Sequence, residues 1–322
     1  MTRRTVTRGW PLRALVLSIG VAAAGYLGVA FWSGWHDVTA AFGQIGLAGT
    51  GAALGLSLVN YGLRFVRWQR YLKQLGHAVT WPASLRIYLG GFALTTTPGK
   101  AGEAFRGVLL KPHGVPYPAT FAAFISERLS DLLAVLMLTL FGLAQYPQAH
   151  GLVLAGAASL LLALGCLTSK ALPAALYRFA ARRRGRLMTL LSHASDVLLR
   201  ARRCHQPAML AQATLLGLVA WGAEALAFHW VLGWLGADVS LGLACFIYAL
   251  AMLAGALSFL PGGLGSAEAV MVSLLTVAGM PPAAAVAATV FTRLATLWFA
   301  VAIGLGCLMG SRLEKRLTEP AS

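Results

Sequence analysis

Two glycine-rich segments place charged side chains within a chain that is otherwise mostly apolar. The first is TTTPGKAGEAF, which begins at Thr95, and the second is SFLPGGLGSAEA, which begins at Ser258. A glycine-rich break that opens a helix leaves backbone N–H groups without partners, and together with the helix dipole they attract anions. The chemistry predicted for these segments is therefore binding of an anionic group such as a lipid phosphate.

Two arginines complete the predicted anion site, because a planar guanidinium group matches the geometry of phosphate. Arg128 lies 25 residues after Glu103, and Arg293 lies 25 residues after Glu268. The predicted substrate-binding residues are Lys100, Glu103, Arg128, Glu268 and Arg293, with the glycines Gly99, Gly102, Gly262, Gly263 and Gly265. Alternatively, the two arginines pair with the two glutamates and only lock each broken segment to its helix; both roles can coexist.

Acidic residues form a predicted supporting network around this site. Glu127 and Asp131 are four residues apart and share a helix face. Glu224 is isolated in an apolar segment and needs a partner that the sequence does not name. Glu103 and Glu268 lie in the first turn of their predicted helices, where a carboxylate acts as a cap. The alternative for these two is a carboxylate coupled to a proton or a cation.

The two segments belong to a sequence repeat whose copies are offset by 165 residues, so that Gly114-Val115-Pro116 corresponds to Gly279-Met280-Pro281. The predicted unit is a broken hairpin followed by a long helix, at about 83–145 and again at about 241–309. Chance similarity between two apolar stretches is the alternative to a duplication.

The composition of the 322-residue chain indicates a membrane protein. Hydrophobic residues make up 58% of it, mean hydropathy is +0.72, and 11% of the residues are charged, compared with about 25% in soluble domains. The predicted fold is an all-α polytopic membrane protein forming a single membrane domain over 1–322. Basic residues beside apolar segments account for the net charge of +16, so no nucleic-acid partner is predicted.

The motifs predict neither a metal site nor a cofactor. The four cysteines have no CxxC spacing, and the seven histidines form no HExxH motif. TPGKAGE from Thr97 is not a P-loop, because Leu94 and Ala101 stand where that loop needs glycine and serine or threonine. No catalytic residue is predicted.

Charge distribution predicts how the chain crosses the membrane. Six apolar segments approach or exceed the length needed to span it, namely 12–32, 45–66, 117–145, 150–168, 208–235 and 283–309. Two broken regions, about 83–112 and 241–280, are predicted to be re-entrant hairpins, which leaves both termini in the cytoplasm. The outside loops then contain no Lys or Arg, as the positive-inside rule expects. If 83–97 crosses fully instead, every later loop changes sides.

This topology has four consequences. The hairpins enter from opposite sides, so the repeat is inverted, which is typical of transporters. Both hairpin tips should then point into one central site, and Arg64 should snorkel to the inner surface. The basic segment 170–206 should lie inside as an amphipathic helix held by anionic lipids, with a plain linker as the alternative. The predicted apolar face consists of Leu187, Leu190, Leu191, Ala194 and Leu198.

The motifs resemble those of the lysylphosphatidylglycerol synthase transmembrane family, also called flippase-like domain proteins. The resemblance covers roughly 10–310. It rests on Pro-Gly-x-x-Gly-Glu from Pro98 to Glu103, Glu-Arg-x-x-Asp from Glu127 to Asp131, Pro-Gly-Gly-Leu-Gly-x-x-Glu from Pro261 to Glu268, and Arg293. Lys100 replaces the Arg that is more common in the family, which keeps a cation there. The resemblance implies translocation of an aminoacyl lipid, a glycolipid, a polyprenyl-phosphate sugar or a hopanoid. No soluble synthase domain follows within these residues, so lipid aminoacylation is not expected.

The sequence therefore predicts a lipid flippase or transporter, and not an enzyme, in the cytoplasmic (inner) membrane of a bacterium. Its predicted partners are the transported phospholipid or lipid-linked sugar and anionic inner-leaflet lipids at 170–206, with a homo-oligomer or a partner enzyme left open. Two other functions also stay open. One is a lipid-binding accessory module for a partner enzyme, and the other is an intramembrane lipid transferase.

Overall fold

The structure is a computed structural model that describes residues 35–97, 101–141, 143, 150–169, 171–181 and 185–318. These residues form helices joined by short turns, and no strand occurs among them. The predicted all-α class of a polytopic membrane protein is confirmed.

The helices follow one another with few intervening residues. They are α1 Trp35–Gln74, α2 Trp81–Phe92, α3 Arg106–Leu110, α4 Tyr117–Thr139, α5 His150–Thr168, α6 Ala171–Ala181, α7 Arg186–Cys204, α8 Pro207–Trp234, α9 Leu241–Leu257, α10 Ser266–Val277, α11 Pro282–Arg293 and α12 Phe299–Thr318. Short 3-10 helices, Ala101–Phe105 and Lys111–His113, flank α3, and a π-helical turn, Leu294–Trp298, joins α11 to α12.

Three continuous helical stretches in the described residues are long and apolar enough to cross a membrane: Thr39–Gln74, Pro207–Trp234 and Pro282–Gly310. Val153–Cys166 and Ala171–Phe179, bent by 62° relative to each other, make a fourth if the pair is one span. All five predicted apolar segments within the described residues contain a helix. The sixth, 12–32, lies outside those residues, and six crossings stay a prediction.

The second broken region consists of α9 and α10, which pack against each other on either side of a glycine-rich break. The predicted helix start near Ser266 is confirmed. Gly263 has a φ of +67°, and a Cβ added there would lie 2.8 Å from the Cα of Gly255. Only glycine fits at this position, because the two backbones are in direct contact.

The first broken region has less regular structure. The helix expected to begin near Ala101 is a 3-10 turn as far as Phe105, and only Arg106–Leu110 is α-helical. We attribute the irregular structure to packing, because the charged side chains of this segment contact α4: Arg106 pairs with Glu127, and Glu103 lies near Arg128. The predicted tip residues Gly99 and Lys100 lie outside the described residues.

The turn after each broken region has the same backbone geometry in both copies of the repeat. Gly114 and Gly279 have φ values of +76° and +94°. Each donates its N–H to the carbonyl three residues earlier, at 3.1 and 3.0 Å. The next residue in each copy donates to the carbonyl five residues earlier, at 3.3 and 3.0 Å. The sequence match of the two turns therefore corresponds to a match in backbone structure.

The basic segment contains two helices, α6 and α7, which pack on each other, and α7 also packs on α4. The hydroxyl of Ser195 donates to the carbonyl of Pro173 at 2.9 Å. On the predicted apolar face, Leu187 and Leu190 are exposed, whereas Leu198 packs against the protein core. The face is therefore divided between the protein core and the surroundings.

The close packing at Gly304, where α12 crosses the end of α2, predicts that a larger residue there lowers stability. An added Cβ would lie 2.2 Å from the backbone N of Ala93. Gly304→Ala should therefore force the helices apart and lower the free energy of unfolding by about 1–3 kcal/mol. The matched control is Gly306→Ala on the same helix, where nothing lies within 4 Å. Unfolding of both variants in detergent checks this, and equal stability would contradict it.

Candidate functional site

The broken regions of the two repeats meet at the centre of the molecule. A Cβ added at Gly262 would lie 3.6 Å from the Cα of Thr96, so the two backbones come close together. A small cavity of about 40 Å³ is lined by Glu103 from the first repeat and by Arg293 from the second. The structure thus brings predicted site residues from both repeats to one place.

A larger cleft adjoins this cavity and has a volume of about 280 Å³. Arg128 and Asp131 line it from the first repeat, and Gly262, Gly263 and Arg293 line it from the second. Most of the remaining wall is apolar. Because Arg293 lines both spaces, they are described together as one candidate site.

Arg128 lies between the cleft and three carboxylates. Its Nη2 is 3.5 Å from a carboxylate oxygen of Glu103, 3.4 Å from one of Glu127 and 3.2 Å from one of Asp131. Its side chain is 19% exposed, whereas the side chains of these acids are 0–8% exposed. Arg128 also lines the cleft, so its partly exposed side chain can contact an anion that enters there.

Arg106 is the central cation of this network and is absent from the predicted site residues. Its side chain is buried, it donates to Glu127 Oε2 at 3.0 Å, and it forms an ion pair with Glu103. The guanidinium carbon lies 4.8 Å from the ring centroid of Trp68 and 4.6 Å from that of Tyr88. The three-residue spacing from Glu103 was the available sequence signal, because such residues share a helix face.

Arg64 and Arg67 also belong to the network, and the prediction that Arg64 snorkels to the surface is wrong. Arg64 is 5% exposed, and its Nη2 lies 3.2 Å from Asp131 Oδ2. Arg67 is buried and forms an ion pair with the same carboxylate, which also accepts a 3.0 Å hydrogen bond from Trp221 Nε1. These contacts exist because α1 turns this face towards α4 and α8 rather than towards lipid.

The ion-paired cluster around α4 contains four arginines, Arg64, Arg67, Arg106 and Arg128, and three carboxylates, Glu103, Glu127 and Asp131. Glu224 lines the adjoining cavity together with Arg64, and Arg293 is paired with Glu268. The arginines and carboxylates of the described site are therefore equal in number. An anion in the cleft would have to compete with these carboxylates for Arg128.

The second repeat has a simpler arrangement, in which Arg293 at the end of α11 bonds both to α10 and to the glycine-rich break. Its Nε donates to Glu268 at 2.6 Å, and its Nη2 donates to the carbonyl of Gly262 at 2.7 Å. Glu268 in turn accepts from the backbone N–H of Gly265 at 2.7 Å, so the predicted cap at the start of α10 is confirmed. The locking contact that the sequence offered as an alternative is present, and Arg293 still lines the cleft.

Glu224 lies in the part of the site formed by the smaller cavity. Its carboxylate accepts a hydrogen bond from the hydroxyl of Tyr248 at 2.5 Å, which identifies a partner that the sequence did not name. Glu224 lines the smaller cavity together with Arg64 and Arg293. It therefore contributes negative charge to the end of the site away from Arg128.

The other predicted glycines are divided between the two repeats. Gly102 lies in the 3-10 turn, and Gly265 has a φ of +87° immediately before α10. No group of three or more His, Cys, Asp or Glu side chains could hold a metal ion in the part of the chain that the structure describes. The candidate ligand-binding groups of the described site are therefore arginine side chains and backbone groups.

Comparison with known proteins assigns most of the chain to one family model. Residues 15–304 match the model described as the lysylphosphatidylglycerol synthase TM region. A UPF0104 membrane protein of Pyrococcus horikoshii is 23% identical over 269 residues, which are 74% of this chain and 80% of that protein. Similarity to that protein therefore extends over most of both chains.

Two other relatives match over shorter segments. A UPF0104 membrane protein of Methanothermobacter thermautotrophicus is 30% identical over 106 residues, which are 32% of this chain and 31% of that protein. Glycosyltransferase AglD of Haloferax volcanii is 30% identical over 129 residues, which are 38% of this chain and 18% of that protein. The matches span less than a third of the first protein and less than a fifth of the second.

Arg106 generates a prediction about the stability of the site. Arg106→Met removes a cation that contacts two buried carboxylates, so the free energy of unfolding should fall by about 3–5 kcal/mol. The matched control is Arg200→Met, which removes a partly exposed ion pair with Asp196. That control should cost no more than about 0.5 kcal/mol. Denaturant unfolding in detergent checks both variants, and equal losses would show that Arg106 is not a central support.

Proposed function

The chain belongs to the lysylphosphatidylglycerol synthase transmembrane family, and we propose that it is a lipid transporter of the cytoplasmic membrane. It moves the headgroup of a phospholipid or lipid-linked sugar from one leaflet to the other while the hydrocarbon chains stay in apolar surroundings. The observation that carries this proposal is the cleft between the repeats, into which Arg128 and Arg293 both project.

The charge and shape of the cleft support an anionic headgroup as its ligand. Phosphate accepts several hydrogen bonds at once, and guanidinium groups donate them in matching geometry. Arg128 is partly exposed, lines the cleft and is shared by three carboxylates, so a phosphate in the cleft can compete for it. Arg293 holds the carbonyl of Gly262, so an anion that competes for this arginine also loosens the second broken segment. Binding and opening are coupled through one side chain.

A lipid-binding module that presents its ligand to a partner enzyme is the second candidate. The similarity between 38% of this chain and a segment of glycosyltransferase AglD favours it, since that relative is named as an enzyme. Such a module would bind the same headgroup in the same cleft without moving it across the membrane.

The transporter proposal predicts that the two arginines hold lipid. Purified wild type should carry one enriched anionic lipid by mass spectrometry, and Arg128→Ala/Arg293→Ala should lose it. In proteoliposomes, the wild type should move a fluorescent analogue of that lipid between leaflets, and the double variant should fall to the rate of protein-free liposomes. Arg200→Ala, outside the cleft, should behave as wild type.

The outcomes of these assays separate the candidates. Enrichment without translocation favours the presenting module, and a lipid of altered mass favours an intramembrane transferase. Equal amounts of bulk lipid in all variants would overturn the anion site and leave Arg128 and Arg293 as structural locks.

The transporter proposal also includes an orientation, with both termini and α6–α7 on the cytoplasmic side against anionic lipids. After Cys166, Cys204, Cys245 and Cys307 are replaced by alanine, Asp238→Cys and Arg203→Cys provide two exposed probes on opposite sides. A membrane-impermeant maleimide should label Asp238→Cys in intact cells and Arg203→Cys only after lysis. The reverse pattern would contradict this orientation.

A further inference from the structure

An apolar groove lies between α4, α5 and α9, outside the charged site. It has a volume of about 230 Å³ and is open to the surroundings on the α5 side, where Ala155 and Ser159 are exposed. Leucines from α4 and α9 form its floor, and small residues from α5 form its wall. The small residues leave a channel along the helix that larger side chains would fill.

The groove adjoins the charged cleft. Leu132 of α4 and Leu257 of α9 line both spaces and form the wall that they share. The guanidinium groups of Arg128 and Arg293 lie on one side of this wall, and the outer face of α5 lies on the other. The cleft side is cationic, and the groove side is apolar.

We propose that this groove holds one hydrocarbon chain of the lipid whose anionic headgroup binds between Arg128 and Arg293. The inference rests on the proposed function and identifies the side from which the lipid enters. A headgroup cannot reach a buried site alone, because its chains must leave the site through the protein. An exit through polar walls would leave polar groups unsatisfied against hydrocarbon, whereas the groove offers an apolar exit.

The groove controls access rather than affinity. A hydrocarbon chain gains little free energy by moving from bilayer to an apolar protein surface, since lipid tails are as apolar as leucine. The groove instead lets the headgroup reach the arginines while the hydrocarbon chain remains in contact with the bilayer. Blocking the groove should therefore prevent entry even when both arginines are intact.

Gly156 offers a way to close the groove. A Cβ added there would lie 3.7 Å from Leu253 Cδ2 and 3.9 Å from Leu136 Cδ1, so a larger side chain would project into the channel. Gly165 provides the matched control on the same helix, because nothing lies within 4 Å of an added Cβ. The two glycines are nine residues apart, which places them on opposite helix faces.

The test uses full-length protein in nanodiscs containing phosphatidylglycerol with a photoreactive diazirine in one acyl chain. After irradiation, peptide mass spectrometry should locate the label on the groove surfaces of α4, α5 and α9. Gly156→Phe should lose most of this label and the enriched lipid, and Gly165→Phe should keep both. If Gly156→Phe does not fold, Ser159→Phe, which also fills the groove, replaces it.

Label in the groove that persists equally in Gly156→Phe and Gly165→Phe would overturn the inference, as would label confined to other lipid-facing surfaces. The arginine variants distinguish this failure from failure of the proposed function. If the wild type still carries an enriched lipid that Arg128→Ala/Arg293→Ala loses, only the chain route is wrong. If the wild type carries no enriched lipid, the headgroup site itself fails.

Discussion

Mutual neutralisation of guanidinium and carboxylate groups constrains the rest of the structure, because the cluster is enclosed by apolar helices. An unpaired charge in such surroundings is costly. Arg106 meets this constraint with two carboxylates and two aromatic ring faces. Its partners come from α1, α2, the first broken region and α4, so one side chain connects these four elements. The cluster thus specifies the centre of the fold as well as its chemistry.

The same constraint explains how one residue can act as both a lock and a binding group. A charge pair in a medium of low dielectric constant interacts strongly, and a phosphate can substitute for a carboxylate as the partner of an arginine. Arg128 is shared by three carboxylates at 3.2–3.5 Å, which are longer distances than in an ideal ion pair. Arg128 is therefore positioned for an additional anion without abandoning the cluster.

The sequence predicted those contacts that are local or repeated, and it missed those that depend on helix orientation. The shared spacing of 25 residues indicated the pairs of Arg128 with Glu103 and of Arg293 with Glu268, and both pairs form. Arg64 and Arg67 were missed because hydropathy does not show which face of a long helix turns inward. Tyr248 could not be predicted as the partner of Glu224, since the two residues lie on different helices and meet only through packing.

The two repeats stabilise their broken regions to different degrees, and this difference bears on which one responds to a ligand. The described part of the first region is held by several charge pairs, including the two that Arg106 makes with Glu103 and Glu127. The second depends on Arg293, which is bound to one carboxylate and to the neutral carbonyl of Gly262.

A hydrogen bond to a neutral carbonyl is weaker than one to an anion. Under the proposed function, an anionic headgroup in the cleft would therefore displace the carbonyl of Gly262 from Arg293 more readily than it would separate the buried charge pairs of the first region. The backbone contact between Gly255 and Gly263 leaves no Cβ atoms to interlock across the break. The second region is thus the part of the site whose contacts the proposed lipid would change first, with the first region as the fixed support.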